Sequence, residues 1–163
     1  MTIKEYNIAV DKYADNIFRF VLKHLKDKDA AKDVVQDTFA KVWLKRDTID
    51  GEKAKSYLFT TAYNTMIDAT RKQKYTEEVG VIDKHFSQAP IKDMDLQETL
   101  HKALDQLSEI QRTVVLLRDY EGYDYEEIGK ITGLKESQVK VYIFRARKKL
   151  KQILVSVEAV LEN

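Results

Sequence analysis

Residues 125–139 read YEEIGKITGLKESQV, with glycine at positions 129 and 133 and valine at position 139. Gly129 would let two helices approach closely, and Gly133 suits a backbone conformation that is costly for other residues. Val139 would fill the angle between the helices. Just before this stretch begins, Asp124 has with Glu127 the spacing of a helix-capping pair. The sequence therefore predicts a short helix, a tight turn and a second helix.

The second of these helices has two different faces. Val139, Ile143, Ala146 and Leu150 recur at helical spacing, which predicts a stripe packed against the rest of the domain. The other side carries residues that could contact DNA: Ser137, Lys140, Val141, Phe144, Arg145 and Lys148. This arrangement resembles the helix-turn-helix, whose recognition helix binds guanine edges or phosphates through basic side chains and touches thymine methyl groups through apolar ones. The alternative is a solvated face with a basic C-terminal end, which suits the helix dipole.

The first half of the chain predicts three further helices. Apolar residues recur at the helical period over residues 3–26, about 29–45, and from after Lys53 to Lys74. Asp29 is at the predicted N-cap position of the second of these helices. The polar segment 46–53 contains Asp50-Gly51 and predicts a loop.

Between residues 75 and 94 the periodicity fades and the single proline, Pro90, appears. Helical pattern resumes at Leu96, Ser108 has with Gln111 the spacing of a capping box, and Glu121-Gly122-Tyr123 breaks the helix that follows. We therefore predict an all-α fold of two small helical domains joined by a flexible linker, the second containing the helix-turn-helix. The predicted domains are residues 1–74 and 95–163, with a linker over 75–94.

Composition limits the function. The chain has 163 residues, no cysteine and a net charge of +1, so disulfides, thiolate zinc sites and a cysteine nucleophile are excluded. No apolar run approaches the roughly 18 residues of a membrane span, and the charged start does not resemble a signal peptide, which predicts a cytoplasmic protein. DNA-binding proteins that act alone usually carry a basic excess. A charge near zero predicts that any DNA binding is helped by a partner.

Two other classes of function compete with this interpretation. An enzyme is disfavoured, because the three histidines are scattered, Glu98-x-x-His101 has no second copy, and no phosphate-binding loop or nucleophile motif occurs. We accordingly expect no catalytic residue, metal or cofactor. The second competitor is a conventional helix-turn-helix regulator, which would bind palindromic DNA as a dimer.

Two stretches of the sequence resemble one family. The first resembles conserved region 2 of the extracytoplasmic-function sigma factors of bacterial RNA polymerase, and comprises Ala31 to Phe39, Trp43, and Tyr57 to Asn64 with Ile67, Asp68 and Arg71. The second resembles region 4 of the same factors, and comprises Leu107 to Arg112, Tyr120-Glu121-Gly122, Tyr125 to Ile128, and Phe144 to Arg147. They occur in the family's order and cover nearly the whole chain outside the predicted linker.

The resemblance implies a partner for each surface. In the first domain, Asp33, Gln36 and Asp37 would meet the clamp helices of the largest subunits of core RNA polymerase. The minus-ten promoter element would be captured by the loop and third helix, with contacts from Asp50, Lys53, Lys55, Asn64, Arg71 and Lys72. In region 4, Lys140, Val141, Phe144 and Arg145 would read the minus-thirty-five element, with Ser137 beside them and with Arg147 and Lys148 on phosphates. The polymerase flap and an anti-sigma factor are the further partners that the family implies.

Some positions depart from the family pattern. Many members have a small residue and threonine in place of Ser137-Gln138, and polar or basic residues in place of Val141-Tyr142. The promoter sequence therefore cannot be transferred from relatives. Tyr63 stands where a basic residue is frequent, so strand contacts near Asn64 are expected to differ.

Overall fold

The computed structural model describes residues 1–78 and 96–161, and all of its regular elements there are helical. The chain divides into two compact units. The first is built on three helices, α1 (Ile3–Leu25), α2 (Lys28–Lys45) and α3 (Ala54–Glu78). Two short 3₁₀ turns, Arg46–Thr48 and Gly51–Lys53, join α2 to α3. The all-α prediction is confirmed. Helix α3 ends at residue 78, four residues later than predicted, and positions 79–94 of the predicted linker lie outside the described residues.

Local capping sets the junction between α1 and α2, and here the sequence prediction was wrong by two residues. Lys26 ends α1 in the left-handed conformation with φ of 58°. Asp27 is then extended, and its carboxylate accepts hydrogen bonds from the backbone N–H groups of Asp29 and Ala30 at 3.0 and 3.3 Å. Asp27 is therefore the N-cap. Asp29 lies in the first turn, where its charge suits the positive end of the helix dipole.

The three helices of the first unit pack pairwise around one core. Ile17, Phe20 and Val21 of α1 are buried against α2 and α3, and the rings of Phe20 and Phe59 meet edge to face at 5.7 Å. Each large apolar side chain buried in this way contributes about 1.5–3 kcal/mol to folding. The interior combines residues of the predicted stripes, such as Ile17 and Val21, with Phe20 and Phe59, which those stripes did not include.

The second unit is built on α4 (Leu96–Asp105), α5 (Glu109–Val115), α7 (Glu136–Leu161) and residues 125–129 of α6 (Tyr125–Thr132). The predicted capping box at the start of α5 is confirmed, since Ser108 and Gln111 cap each other's backbone N–H groups. Asp124 and Glu127 do the same ahead of α6, at 2.8 and 3.2 Å. The helix predicted between Ser108 and Glu121 is α-helical only to Val115, and one π turn, Leu116–Tyr120, follows it.

The turn between α6 and α7 has the predicted glycine geometry. Gly133 has a φ of +78°, which is in the left-handed region. A Cβ atom at Gly129 would lie 2.8 Å from the carbonyl oxygen of Leu134, so only glycine fits this close approach. Val139, Ile143 and Ala146 are buried, as the stripe on α7 predicted. These contacts fix the direction of α7 and so decide which of its side chains face outward.

Candidate nucleic-acid interfaces

The outer face of α7 carries all seven residues predicted to contact duplex DNA. Each of them is exposed, and they are Ser137, Lys140, Val141, Phe144, Arg145, Arg147 and Lys148. Phe144 is 68% exposed and Val141 is 45% exposed, although neighbouring apolar residues of the same helix are buried. Two large apolar side chains among cations on a helix surface suit contact with thymine methyl groups in the major groove.

A groove of about 540 Å³ follows one edge of this face. It is lined by Tyr125, Lys140, Ile143, Phe144, Arg147, Lys148 and Lys151. The ring of Tyr125 lies 4.7 Å from the guanidinium carbon of Arg118 and 5.6 Å from the ammonium nitrogen of Lys140. Cations and an aromatic ring in one groove suit the sugar-phosphate backbone.

Sequence reasoning had not placed Tyr125 and Lys151 at this site. For Tyr125 the signal was its position at the start of the first helix of the helix-turn-helix, the helix that crosses the DNA backbone in this motif. Lys151 continues the face of Lys140, Phe144 and Lys148 by one more helical turn.

Two cations of the outer face have intramolecular partners. Arg147 donates from Nε to Asp119 Oδ2 at 3.2 Å and from Nη2 to Asp119 Oδ1 at 2.5 Å. The hydrogen bond and charge of Asp119 raise the pKa of Arg147, so its charge is permanent. Lys140 makes a looser ion pair with Glu136, one turn earlier, at 3.7 Å.

In the first unit, the outer side of α2 presents the three predicted acceptors. Asp33, Gln36 and Asp37 are all exposed, and their spacing of three and four places them on one face. Two carboxylates and an amide in a row match the geometry of arginine donors on a partner helix.

A second groove, of about 470 Å³, lies between α2 and α3. It is lined by Lys41, Leu44, Lys45, Tyr57, Thr60, Thr61, Asn64 and Thr65. Lys41 donates from Nζ to the Thr65 hydroxyl at 3.0 Å, and the hydroxyl in turn donates to the carbonyl of Thr61 at 2.7 Å. Leu44 is 80% exposed at the rim. The groove thus combines flat apolar surface, an exposed amide and two cations.

The structure separates the residues predicted for the minus-ten element. Asn64 lines the groove, whereas its described lining contains none of Asp50, Lys53, Lys55, Arg71 and Lys72. Asp50 and Lys53 are exposed on the loop, Lys55 is half-buried, and Arg71 and Lys72 are exposed farther along α3. Sequence reasoning missed Lys41, Lys45 and Tyr57, although the spacing of four between the two lysines places them on one face of α2.

The loop between α2 and α3 is held in one shape by α1. Arg46 stacks on Trp43 at 3.9 Å, Trp43 contacts the ring of Tyr6 at 4.9 Å, and the Tyr6 hydroxyl donates to the carbonyl of Phe39 at 3.0 Å. Ile49 is buried and anchors the middle of the loop. The predicted loop is therefore a braced segment of two 3₁₀ turns.

Comparison with known proteins assigns both parts of the chain to one family. Residues 9–76 match the family model described as Sigma-70 region 2, and residues 97–150 match Sigma-70, region 4. The extracytoplasmic-function RNA polymerase sigma factor SigM of Bacillus subtilis (strain 168) is 30% identical over 158 residues, which are 94% of this chain and 95% of SigM. The chain belongs to the extracytoplasmic-function sigma factors.

Other relatives support the same assignment. The RNA polymerase sigma factor SigV of the same organism is 30% identical over 141 residues, covering 86% of this chain and 85% of SigV. Among solved structures, sigma factor RpoE of Bartonella quintana, in complex with the anti-sigma factor NepR, has a TM-score of 0.77 and 29% identity, with 93% of this chain and 98% of that chain covered. The chain is thus a sigma factor with regions 2 and 4, and the alternative of a conventional dimeric regulator is disfavoured.

Within residues 1–78 and 96–161, no helix has the length and apolar character that a membrane crossing needs. The same ranges contain no group of three or more histidine, cysteine, aspartate or glutamate side chains arranged to hold a metal ion.

Proposed function

We propose that this sigma factor binds core RNA polymerase through the α2 face of Asp33, Gln36 and Asp37, and that it reads promoter DNA with two separate surfaces. The α2/α3 groove takes an unstacked base of the minus-ten element, and the outer face of α7 reads the minus-thirty-five duplex. Region 4 also meets the polymerase flap. The protein acts in the cytoplasm beside the polymerase, as an initiation factor without catalytic residues or a cofactor.

The observation that carries this proposal is the content of the α2/α3 groove. A flipped base needs hydrogen bonds to its polar edge and apolar surface against its face. The Asn64 amide offers both a donor and an acceptor, and Tyr57 and Leu44 offer the surface. Lys41 and Lys45 suit the flanking phosphates, because single-stranded sites combine stacking with a positive groove.

Loop and helix residues around the groove extend this site. Asp50 and Lys53 on the braced loop, and Lys55 at the start of α3, contact the same strand outside the groove. Arg71 and Lys72 follow the backbone farther along α3. The role of the four cations, Lys53, Lys55, Arg71 and Lys72, is electrostatic and independent of base identity.

Run-off transcription tests the proposal as a whole. Bacterial core polymerase is supplied with pooled fragments of the source genome, with and without the protein. We expect discrete transcripts that depend on the protein and that reveal its promoter consensus. Absence of core binding together with tight binding to duplex DNA by the protein alone would overturn the proposal in favour of a conventional regulator.

Variants then separate the two DNA surfaces. Asn64→Ala is expected to reduce strand opening at the minus-ten element while core binding is kept. Asn7→Ala removes an exposed asparagine of α1 in the same unit and serves as the matched control.

Lys140→Ala with Arg145→Ala is expected to weaken recognition of the minus-thirty-five element and to leave minus-ten opening and core binding unchanged. Its control, Lys102→Ala with Lys149→Ala, removes two exposed cations of the second unit that do not belong to the predicted reading face.

An anti-sigma factor is the proposed regulator. The structure of RpoE with NepR concerns a related chain in complex with such a protein. An anti-sigma factor that covers both the α2 face and the α7 face would block polymerase and DNA together. Co-purification from the source organism, followed by loss of run-off transcripts when the purified partner is added, tests this part.

A further inference from the structure

The ion pair between Asp119 and Arg147 joins two elements of the second unit. Asp119 belongs to the π turn after α5, and Arg147 lies 28 residues later on α7. Both side chains are nearly half exposed, at 40% and 49%. An exposed ion pair usually contributes little to stability. Two parallel N–H···O bonds, however, fix the plane and the direction of a guanidinium group.

The direction in which Arg147 is held is informative. Its Nε and Nη2 groups face Asp119, so the Nη1 edge of the planar fork faces away from the carboxylate. Arg147 also lines the groove beside the DNA-reading face, together with Tyr125, Lys140 and Lys148. Asp119 therefore fixes the position of the guanidinium group, and the remaining N–H donors of Arg147 lie next to other cations.

We propose that Asp119 is a positioning residue for promoter recognition, which orients Arg147 to bind a backbone phosphate beside the minus-thirty-five element. The inference rests on the proposed function. It revises the simpler expectation that Arg147 is an independent phosphate contact, because the contact is set by a second residue. Phosphate contacts fix the register of a protein on the duplex, so a loose Arg147 weakens the base contacts of its neighbours as well.

The two possible roles of Asp119 predict effects of opposite sign. A carboxylate next to DNA repels phosphates, and its removal alone should tighten binding. If Asp119 positions Arg147, its removal instead weakens promoter binding, although the protein becomes more positive. Glu136 supplies the comparison, because it pairs with Lys140 on the same helix through one contact to an ammonium group that has no planar fork.

The experiment measures promoter binding by the holoenzyme, assembled from core polymerase and full-length protein, over a range of salt concentrations. The variants are Asp119→Asn, Arg147→Lys, Arg147→Ala, the double variant Asp119→Asn with Arg147→Ala, and the control Glu136→Gln. We expect Asp119→Asn and Arg147→Lys each to weaken binding roughly fivefold to tenfold, because a charge-assisted hydrogen bond to phosphate is then no longer correctly oriented. The double variant should equal Arg147→Ala, and Glu136→Gln should bind as well as wild type or better.

Salt dependence and stability separate positioning from structural support. Arg147→Ala should lower the slope of log affinity against log salt concentration by about one, the signature of one lost phosphate contact. Thermal unfolding of each variant shows whether weaker binding follows weaker folding. The inference is overturned if Asp119→Asn binds more tightly, as Glu136→Gln is expected to, if the losses in the double variant add, or if binding falls only in proportion to the unfolded fraction. A wild-type holoenzyme that directs no transcript would instead overturn the proposed function.

Discussion

Two glycines differ in what an added side chain would meet, and this difference gives a prediction. A Cβ atom at Gly129 would lie 2.8 Å from the backbone oxygen of Leu134, whereas at Gly51 it would lie 2.9 Å from the carboxyl carbon of Glu5. The Glu5 side chain can move if it gives up its capping hydrogen bond from the Thr2 N–H, whereas the Leu134 backbone is held by the turn. Gly129→Ala should therefore destabilise the protein by about 1–3 kcal/mol, as overpacking does. Gly51→Ala should cost clearly less in urea unfolding followed by circular dichroism, and equal losses would contradict this.

Adjacent residues of α7 separate folding from recognition. Ile143 is 2% exposed and Phe144 is 68% exposed. Ile143→Ala should lower the free energy of unfolding by about 2–5 kcal/mol, because it leaves a cavity in the core. Phe144→Ala should change it by less than about 0.5 kcal/mol, as surface substitutions do, yet reduce promoter binding by the holoenzyme. A loss of stability in Phe144→Ala comparable with that of Ile143→Ala would show that Phe144 supports the fold.

The roles of single residues were predictable where residues close in sequence determine the local backbone geometry. Gly129, Gly133 and Val139 have the predicted roles because the turn and its packing involve neighbours within ten positions. The partner of Arg147 was not predictable. Asp119 lies in a π turn, and the helical period of the apolar residues between 110 and 117 did not indicate that turn. The N-cap of α2 was misplaced because the left-handed Lys26, which decides where α1 ends, is not a glycine.

At the scale of elements, the start of α1 braces the loop that leads to the α2/α3 groove. Burial raises the pKa of the Tyr6 hydroxyl, so it remains a donor to Phe39 at neutral pH. Its ring also supports Trp43, on which Arg46 stacks. The sequence predicted both helices and the loop but not this brace, because Tyr6 lies 33 residues before Phe39 and still farther before Trp43.

Tyr6 therefore offers a test of the brace. Tyr6→Phe removes one hydrogen bond, at about 1 kcal/mol, and Tyr6→Ala also removes the half-buried ring and its contacts with Phe39 and Trp43, which should cost more. We expect Tyr6→Ala to slow strand opening at the minus-ten element, measured by permanganate reactivity of thymines in the holoenzyme complex, more than Tyr6→Phe does. Binding to a duplex that contains only the minus-thirty-five element should be unchanged. Equal opening by both variants and wild type would show that the loop keeps its shape without the Tyr6 contacts.

At the scale of the whole molecule, charge is unevenly distributed. Residues 135–151 contain seven basic residues and one acidic residue, although the whole chain has a net charge of only +1, so the remainder is net negative. The basic stretch attracts DNA and the rest of the chain repels it. The positive charge of residues 135–151 and the negative charge of the remainder nearly cancel, so a net charge near zero is compatible with DNA recognition. The negative remainder also explains why the net charge indicated that DNA binding needs a partner.

The acidic face of α2 both repels DNA and is the proposed polymerase surface. Its charges are exposed, so they can be removed without altering the core. Asp33→Asn with Asp37→Asn raises the net charge by two and should tighten the binding of the protein alone to nonspecific DNA at low salt. The same variant should lose core binding, because arginine donors on the polymerase no longer meet carboxylates. Run-off transcription should therefore fall while DNA affinity of the protein alone rises.

The matched control changes the same charge elsewhere in the same unit. Asp11 and Asp15 are exposed on α1, outside the predicted polymerase surface. Asp11→Asn with Asp15→Asn should tighten nonspecific DNA binding to a similar degree and leave transcription intact. If both double variants keep full transcription, the α2 face does not bind polymerase. If both lose it, net charge and not the position of the carboxylates governs assembly, because only a specific interface distinguishes two aspartates on α2 from two on α1.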